Sequence, residues 1–136
     1  MRGVLDPNVV ISGLLSPKGT PAEVLRAFDR GEFELIASQA LLDELRRALG
    51  YSKLRAHISE EDAVAVVRWV SDTATVVSSP QAIPSVRSAD PGDDYLIALA
   101  SAHRAALVSG DKHLLSLSNE IPVFSLRDFL ELLAKA

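Results

Sequence analysis

Gly3-Val4-Leu5-Asp6-Pro7-Asn8-Val9-Val10 is the stretch on which the fold turns. Residues 3–5 read as a short strand. Asp6 stops the apolar run, and Pro7 suits the first turn of a helix, where its missing N–H would have no intrahelical partner anyway. That helix carries Val9, Val10 and Leu14 and breaks at Ser16-Pro17-Lys18-Gly19. The same step from strand to helix recurs downstream. Residues 33–37 form a second strand, after which Ser38 caps a helix with Leu41, Leu42, Leu45, Ala48 and Leu49 at amphipathic spacing. Residues 75–77 are β-branched and strand-like. Residues 106–109 are a further strand, followed by a short helix over 112–117. Residues 122–124 are a last strand before a helix capped by Ser125. Short apolar runs alternating with helical periods predict a parallel sheet flanked by helices.

Three more helices fill the connections. Thr20-Pro21 reads as an N-cap followed by Pro at the first helical position, opening a helix with Val24, Leu25 and Phe28 that Gly31 ends. Ser59-Glu60-Glu61-Asp62 resembles a capping box and opens a helix with Ala63, Val66, Val67 and Val70. Residues 94–102 are apolar nearly all round apart from Tyr95 and Ser101, which predicts a largely buried helix. Residues 78–89 contain Pro80 and Pro84 and have no clear period, so they read as a surface loop leading to the edge of the sheet. There is no internal repeat or low-complexity segment, and residues 1–136 read as one domain.

Composition narrows the function classes. A hydrophobic share of 48% supports a real core, and with only 5% aromatic residues it must be built from Val, Leu, Ile and Ala. The formal net charge of -4 gives no basic stripe of the kind that advertises nucleic-acid binding. The absence of Cys excludes disulfides and thiolate metal sites and fits a cytoplasmic protein. The N-terminus turns polar at Asp6, so no signal-peptide core is expected, and no apolar run approaches the roughly 20 residues of a membrane span. HExxH, GxGxxG, Walker-type and nucleophile-elbow patterns are all missing. His57, His103 and His113 share no metal-ligand spacing.

What remains is acidic. In a parallel α/β sheet, ligands bind in the crevice outside the carboxyl ends of the strands. Asp6, Asp94 and Asp111 each stand where an apolar run stops or a helix starts, and Glu44 lies at the border of an apolar helix face. Several carboxylates in one crevice repel one another unless a cation or protons neutralise them. A site of hard oxygens suits Mg²⁺ or Mn²⁺.

Each acid also has a plainer explanation. Asp6 before Pro7 is as well accounted for by an N-cap as by a ligand. Glu44 is more readily a solvated acid paired with Arg47, and Asp43 is placed to pair with Arg47 at i,i+4. Asp90-Pro91 is an N-cap pair, and Asp93 then sits where an acid completes a capping box or favours the helix dipole. Asp94 has no such role, yet it begins a buried helix, where a carboxylate needs a partner. It is therefore the foremost ligand candidate of the four, with Asp93 a possible additional acid. Asp111 can cap the helix that follows it. Asn8 and Ser109 are placed to orient Asp6 or Asp111.

Read in order, the motifs resemble the PIN-domain ribonuclease family, specifically the short stand-alone toxins of VapBC-type toxin–antitoxin systems. Residues 4–12 resemble the opening strand and Asp-x-Asn turn of that family. Leu41-Leu42-Asp43-Glu44-Leu45 is similar to the helix that supplies its Glu. Asp93-Asp94-Tyr95-Leu96-Ile97-Ala98 looks like its third acidic motif, whose Asp falls on Asp94. Val108-Ser109-Gly110-Asp111 resembles its fourth. Two positions depart from the pattern. Pro7 stands where the family often has Thr, and Leu115 where some relatives carry a further acid.

The resemblance implies a three-layer α/β/α sandwich with a parallel sheet of about five strands. It implies a metal-dependent endoribonuclease in which Asp6, Glu44, Asp94 and Asp111 hold Mg²⁺ or Mn²⁺, with Asn8 and Ser109 supporting them. It also implies an RNA substrate, a homodimer and a separate antitoxin protein that fills the active groove. Arg46, Lys53 and Arg55 are candidate phosphate contacts, and solvated surface charge explains them equally well. The rival from another class is a PIN-like binding module that keeps the scaffold without catalysis.

Overall fold

The computed structural model describes residues 1–80 and 86–135. Strands β1 (Arg2–Leu5), β2 (Glu34–Ser38), β3 (Thr75–Val77), β4 (Ala106–Val108) and β5 (Val123–Phe124) form one sheet in the order β3-β2-β1-β4-β5. Every pairing is parallel, as the alternation predicts. Helices α1 (Pro7–Leu15), α2 (Thr20–Asp29), α3 (Gln39–Leu49), α4 (Ser52–Arg55), α5 (Glu60–Thr73), α6 (Asp94–His103), α7 (Lys112–Leu115) and α8 (Leu126–Lys135) make the connections. Of the loop expected over 78–89, residues 81–85 lie outside the described residues.

Alternate strand residues point to opposite faces, and the core divides accordingly. Leu5, Leu35 and Val108 pack with α1, α2, α3, α5 and α8 on one face. Val4, Ile36, Leu107 and Val123 pack with α6 and α7 on the other. Helix α3 contributes to both, through Leu42 and Leu45 on the first face and Leu41 on the second. The result is the three-layer α/β/α sandwich. Phe28, Phe33, Trp69 and Phe129 gather on the first face, where Phe33 meets Phe129 edge to face at 5.0 Å and Phe28 lies 5.4 Å from Trp69.

Most helix ends follow the sequence, although α7 stops at Leu115 rather than at Leu117. The hydroxyls of Ser38, Ser59 and Ser125 accept the backbone N–H of Leu41, Asp62 and Asp128. Gly31 takes φ +77 after α2, a left-handed turn that costs glycine little. At the start of α2, however, the N-cap is Gly19, and Thr20 is already helical. The short helix α4 has no signal in the sequence pattern. It follows Gly50-Tyr51 and buries no residue, so no apolar period marks it.

The chain order places the site. The strands run outward from central β1 to β2 and β3, then return to the other side as β4 and β5. The direction of winding therefore reverses between β1 and β4. Their carboxyl ends, residues 6 and 109–111, open on the crevice that such a reversal creates.

Candidate active site

Asp6 is the first residue beyond β1. Its backbone N–H still donates to Val108 O at 3.0 Å, so the β1–β4 pairing continues to the crevice. Its carboxylate is buried and used on both oxygens. Oδ1 accepts the Asn8 N–H at 3.0 Å, the helix cap, and Oδ2 accepts the Ser109 hydroxyl at 2.8 Å. Ser109 is fully buried. Its Oγ also accepts the Asp111 N–H at 2.9 Å, and Asp111 caps α7 by accepting the His113 N–H. Asp6 and Asp111 thus both cap helices, as the plainer explanation has it, and both line the crevice. That crevice encloses about 320 Å³ and is lined by Asp6, Asn8, Ser12, Gly110 and Asp111. A larger cavity of about 470 Å³ lies elsewhere, between α3 and α5, with Arg46 and Arg55 on its wall.

The acids at the start of α6 exchange the local roles read from the sequence. Asp90 caps a single 3₁₀ turn, Pro91–Asp93, by accepting the Gly92 N–H at 3.0 Å. Asp93 makes no capping bond. Among the described residues, its Oδ2 is the one buried side-chain oxygen without a hydrogen-bond partner. Burial, followed by the charges of Asp111, Asp6 and Asp90, raises its pKa to about 6. Asp94, which the sequence leaves without a structural role, has one. Its Oδ1 accepts the Ser88 N–H at 2.9 Å, and its Oδ2 pairs with Arg87 Nε at 3.2 Å. Its side chain is 14% exposed.

Glu44 pairs with Arg47 through both carboxylate oxygens. Arg47 also donates to the Tyr51 hydroxyl at 2.6 Å, and its guanidinium lies 5.5 Å from the centre of that ring. Asp43 pairs instead with Arg46, at i,i+3 rather than with Arg47. Tyr95, half-buried on α6, lies within the field of the same acids, and the sequence pattern assigns it no role. Burial, then the charges of Glu44, Asp6 and Asp93, push its hydroxyl pKa upward, while Arg47 opposes them. The signal for Tyr95 was present: it is one of two polar positions in an otherwise apolar helix.

Asp6 and Asp111 line one crevice and are tied through Ser109, and Asp93 lies within the field of both. Glu44 and Asp94 are each paired with an arginine of the same chain. Among the described residues, no three acid or histidine side chains are gathered closely enough to hold one ion in this conformation. The chemistry of the donors nevertheless fits a hard divalent cation. All are carboxylate oxygens, and the unpartnered Asp93 Oδ2 lies buried in the field of Asp111, Asp6 and Asp90.

A family model described as "PIN domain" matches residues 2–113. The uncharacterised protein MJ1680 of Methanocaldococcus jannaschii is 28% identical over 120 residues, which are 88% of this chain and 77% of that protein. In fold, the chain matches PAE2754 from Pyrobaculum aerophilum with a TM-score of 0.70 at 16% identity, covering 100% of this chain and 91% of that one. It matches VapBC2 from Rickettsia felis, solved bound to a DNA fragment from their promoter, with a TM-score of 0.63 at 12% identity. That match covers 92% of this chain and 98% of the other. Among the described residues, no helix is long and apolar enough to cross a membrane.

Proposed function

The chain belongs to the PIN domain family, whose members are generally nucleases, and from that premise we propose that it is a metal-dependent endoribonuclease. The observation that carries the reading is the buried, unpartnered Asp93 oxygen beside Asp6 and Asp111 at the reversal point of the sheet. A carboxylate left so is costly unless a cation completes it.

Asp6, Asp93 and Asp111 would hold Mg²⁺ or Mn²⁺, with Glu44 and Asp94 joining once released from their arginines. When bound, the ion supplies an activated water and countercharge for the scissile phosphate. The chain's own residues do the positioning. Ser109 links the Asp6 carboxylate to the Asp111 backbone, which holds the ends of β1 and β4 in register at the crevice. Asn8 presents an amide at the crevice wall and is placed to orient a phosphate oxygen or water. Arg46, Lys53 and Arg55 lie on exposed helix surface, where they can meet the backbone of an RNA strand. The fold shared with VapBC2 supports a role as the toxin of a toxin–antitoxin pair, acting as a homodimer in the cytoplasm and restrained by a separate antitoxin protein.

One observation favours the second reading, a PIN-like binding module without catalysis. Two of the four acids that the resemblance assigns to metal are already neutralised by arginines. RNA cleavage separates the two readings. The purified chain is expected to cleave single-stranded RNA only when Mg²⁺ or Mn²⁺ is added, and Asp6→Asn, Asp93→Asn and Asp94→Asn are expected to abolish cleavage while remaining folded. No cleavage and no metal binding by the folded wild type would establish the binding module.

A further inference from the structure

Two arginines, from separate parts of the chain, bind the two acids that stand outside the crevice triad. Arg47 grips Glu44 by its fork, one turn along α3, and its position is fixed from behind by the Tyr51 hydroxyl and ring. Arg87 reaches Asp94 from the segment leading into the 3₁₀ turn, where Ser88 and Asp90 are themselves bonded to each other. Both arginine side chains are mostly exposed, at 61% and 59%, so each can swing into solvent even though Asp94 itself is largely buried. Exposed ion pairs are weak and are exchanged readily.

We infer that Arg47 and Arg87 are resident counter-ions of the acidic crevice, holding Glu44 and Asp94 until a divalent cation displaces them. The inference rests on the reading of the crevice as a metal site. It follows from charge placement. Five carboxylates on adjoining elements would otherwise repel one another. Three of them are held by Ser109, helix-start amides and the protein interior, and the remaining two have a cation of their own. An incoming ion must therefore break two arginine pairs to recruit a full set of oxygen ligands, and the arginines lower its affinity. Once displaced, both guanidinium groups are free to pair with a phosphodiester, whose geometry suits their bidentate fork.

Calorimetric titration with Mn²⁺ alone tests this on the wild type and on Arg47→Ala, Arg87→Ala and Arg46→Ala. Arg46 neighbours Arg47 on the same helix but pairs with Asp43, so its loss removes an equal charge without freeing a crevice acid. Circular dichroism confirms folding of each. Arg47→Ala and Arg87→Ala are each expected to bind Mn²⁺ about two- to fivefold more tightly, and Arg46→Ala to match the wild type. Equal affinity in all four proteins overturns the counter-ion role and leaves the metal site standing. So does an equal gain in Arg46→Ala, which would reduce the effect to general charge. No Mn²⁺ binding by any of them overturns the metal site and the counter-ions with it.

Discussion

Ser109 donates its hydroxyl to Asp6 across 103 residues of chain, and the same oxygen accepts the Asp111 N–H two residues on. One buried side chain therefore sets the spacing between the carboxyl ends of β1 and β4. Ser109→Ala leaves the buried Asp6 Oδ2 without its partner. A loss of about 1–3 kcal/mol is expected, measurable by urea denaturation, together with weaker Mn²⁺ binding. An unchanged denaturation midpoint would mean that the hydroxyl bridge holds nothing.

Asp93 gives a pH signature. Its carboxyl is raised from 3.8 to about 6 in the folded protein, so the native state holds the proton more tightly than the unfolded chain does. Stability from this group is complete below about pH 4 and is lost as pH rises through about 6. Asp93→Asn is expected to raise the melting temperature of the metal-free protein by several degrees at pH 7 and to change little at pH 4. Mn²⁺ should reverse the order, stabilising the wild type above pH 6 and Asp93→Asn much less. Melting curves at the two pH values, with and without Mn²⁺, check both.

The contrast between Asp6 and the Asp93-Asp94 pair explains what could be read in advance. Asp6 is fixed by its neighbours: a strand stops, Pro7 starts a helix, and the only acid between them must sit at the sheet edge. Asp93 and Asp94 depend on helix phase. The sequence starts the buried helix at Asp94 and gives Asp93 a capping role, whereas the chain makes a separate 3₁₀ turn over Pro91–Asp93 that leaves Asp93 without a capping bond. That break changes which acid looks into the crevice, and no residue type announces it. Ser88, which takes one Asp94 oxygen, comes from a segment without period. Such a contact depends on tertiary placement alone. The sheet was legible for the opposite reason, because four of its strands are marked by an apolar run and a following helix start, and β3 by its β-branched residues.

Arg104 closes α6 in the left-handed region, at φ 51, and is exposed. A side chain with a Cβ is strained there, and glycine is not. Arg104→Gly is expected to stabilise the fold by about 0.5–1 kcal/mol, read by thermal or urea denaturation, with RNA cleavage unaltered.

Phe129 is fully buried on α8 and meets Phe33 edge to face. It also lies against Gly3, where a Cβ would stand 3.3 Å from its ring. Phe129→Ala empties that space and is expected to cost about 3–5 kcal/mol. Phe129→Leu should recover part of the loss, as equilibrium denaturation of the two variants would reveal.

The pairing of β1 with β4 also has a consequence for synthesis. Asp6 leaves the ribosome about a hundred residues ahead of Val108, Ser109 and Asp111. Until then the opening strand has β2 on one side and nothing on the other, and its acid has no hydroxyl to align it. A nascent or truncated chain that stops before β4 cannot assemble the crevice, however well its first half folds. Whatever chemistry the crevice performs is therefore withheld from the growing polypeptide and begins only when the second half of the sheet closes against the first.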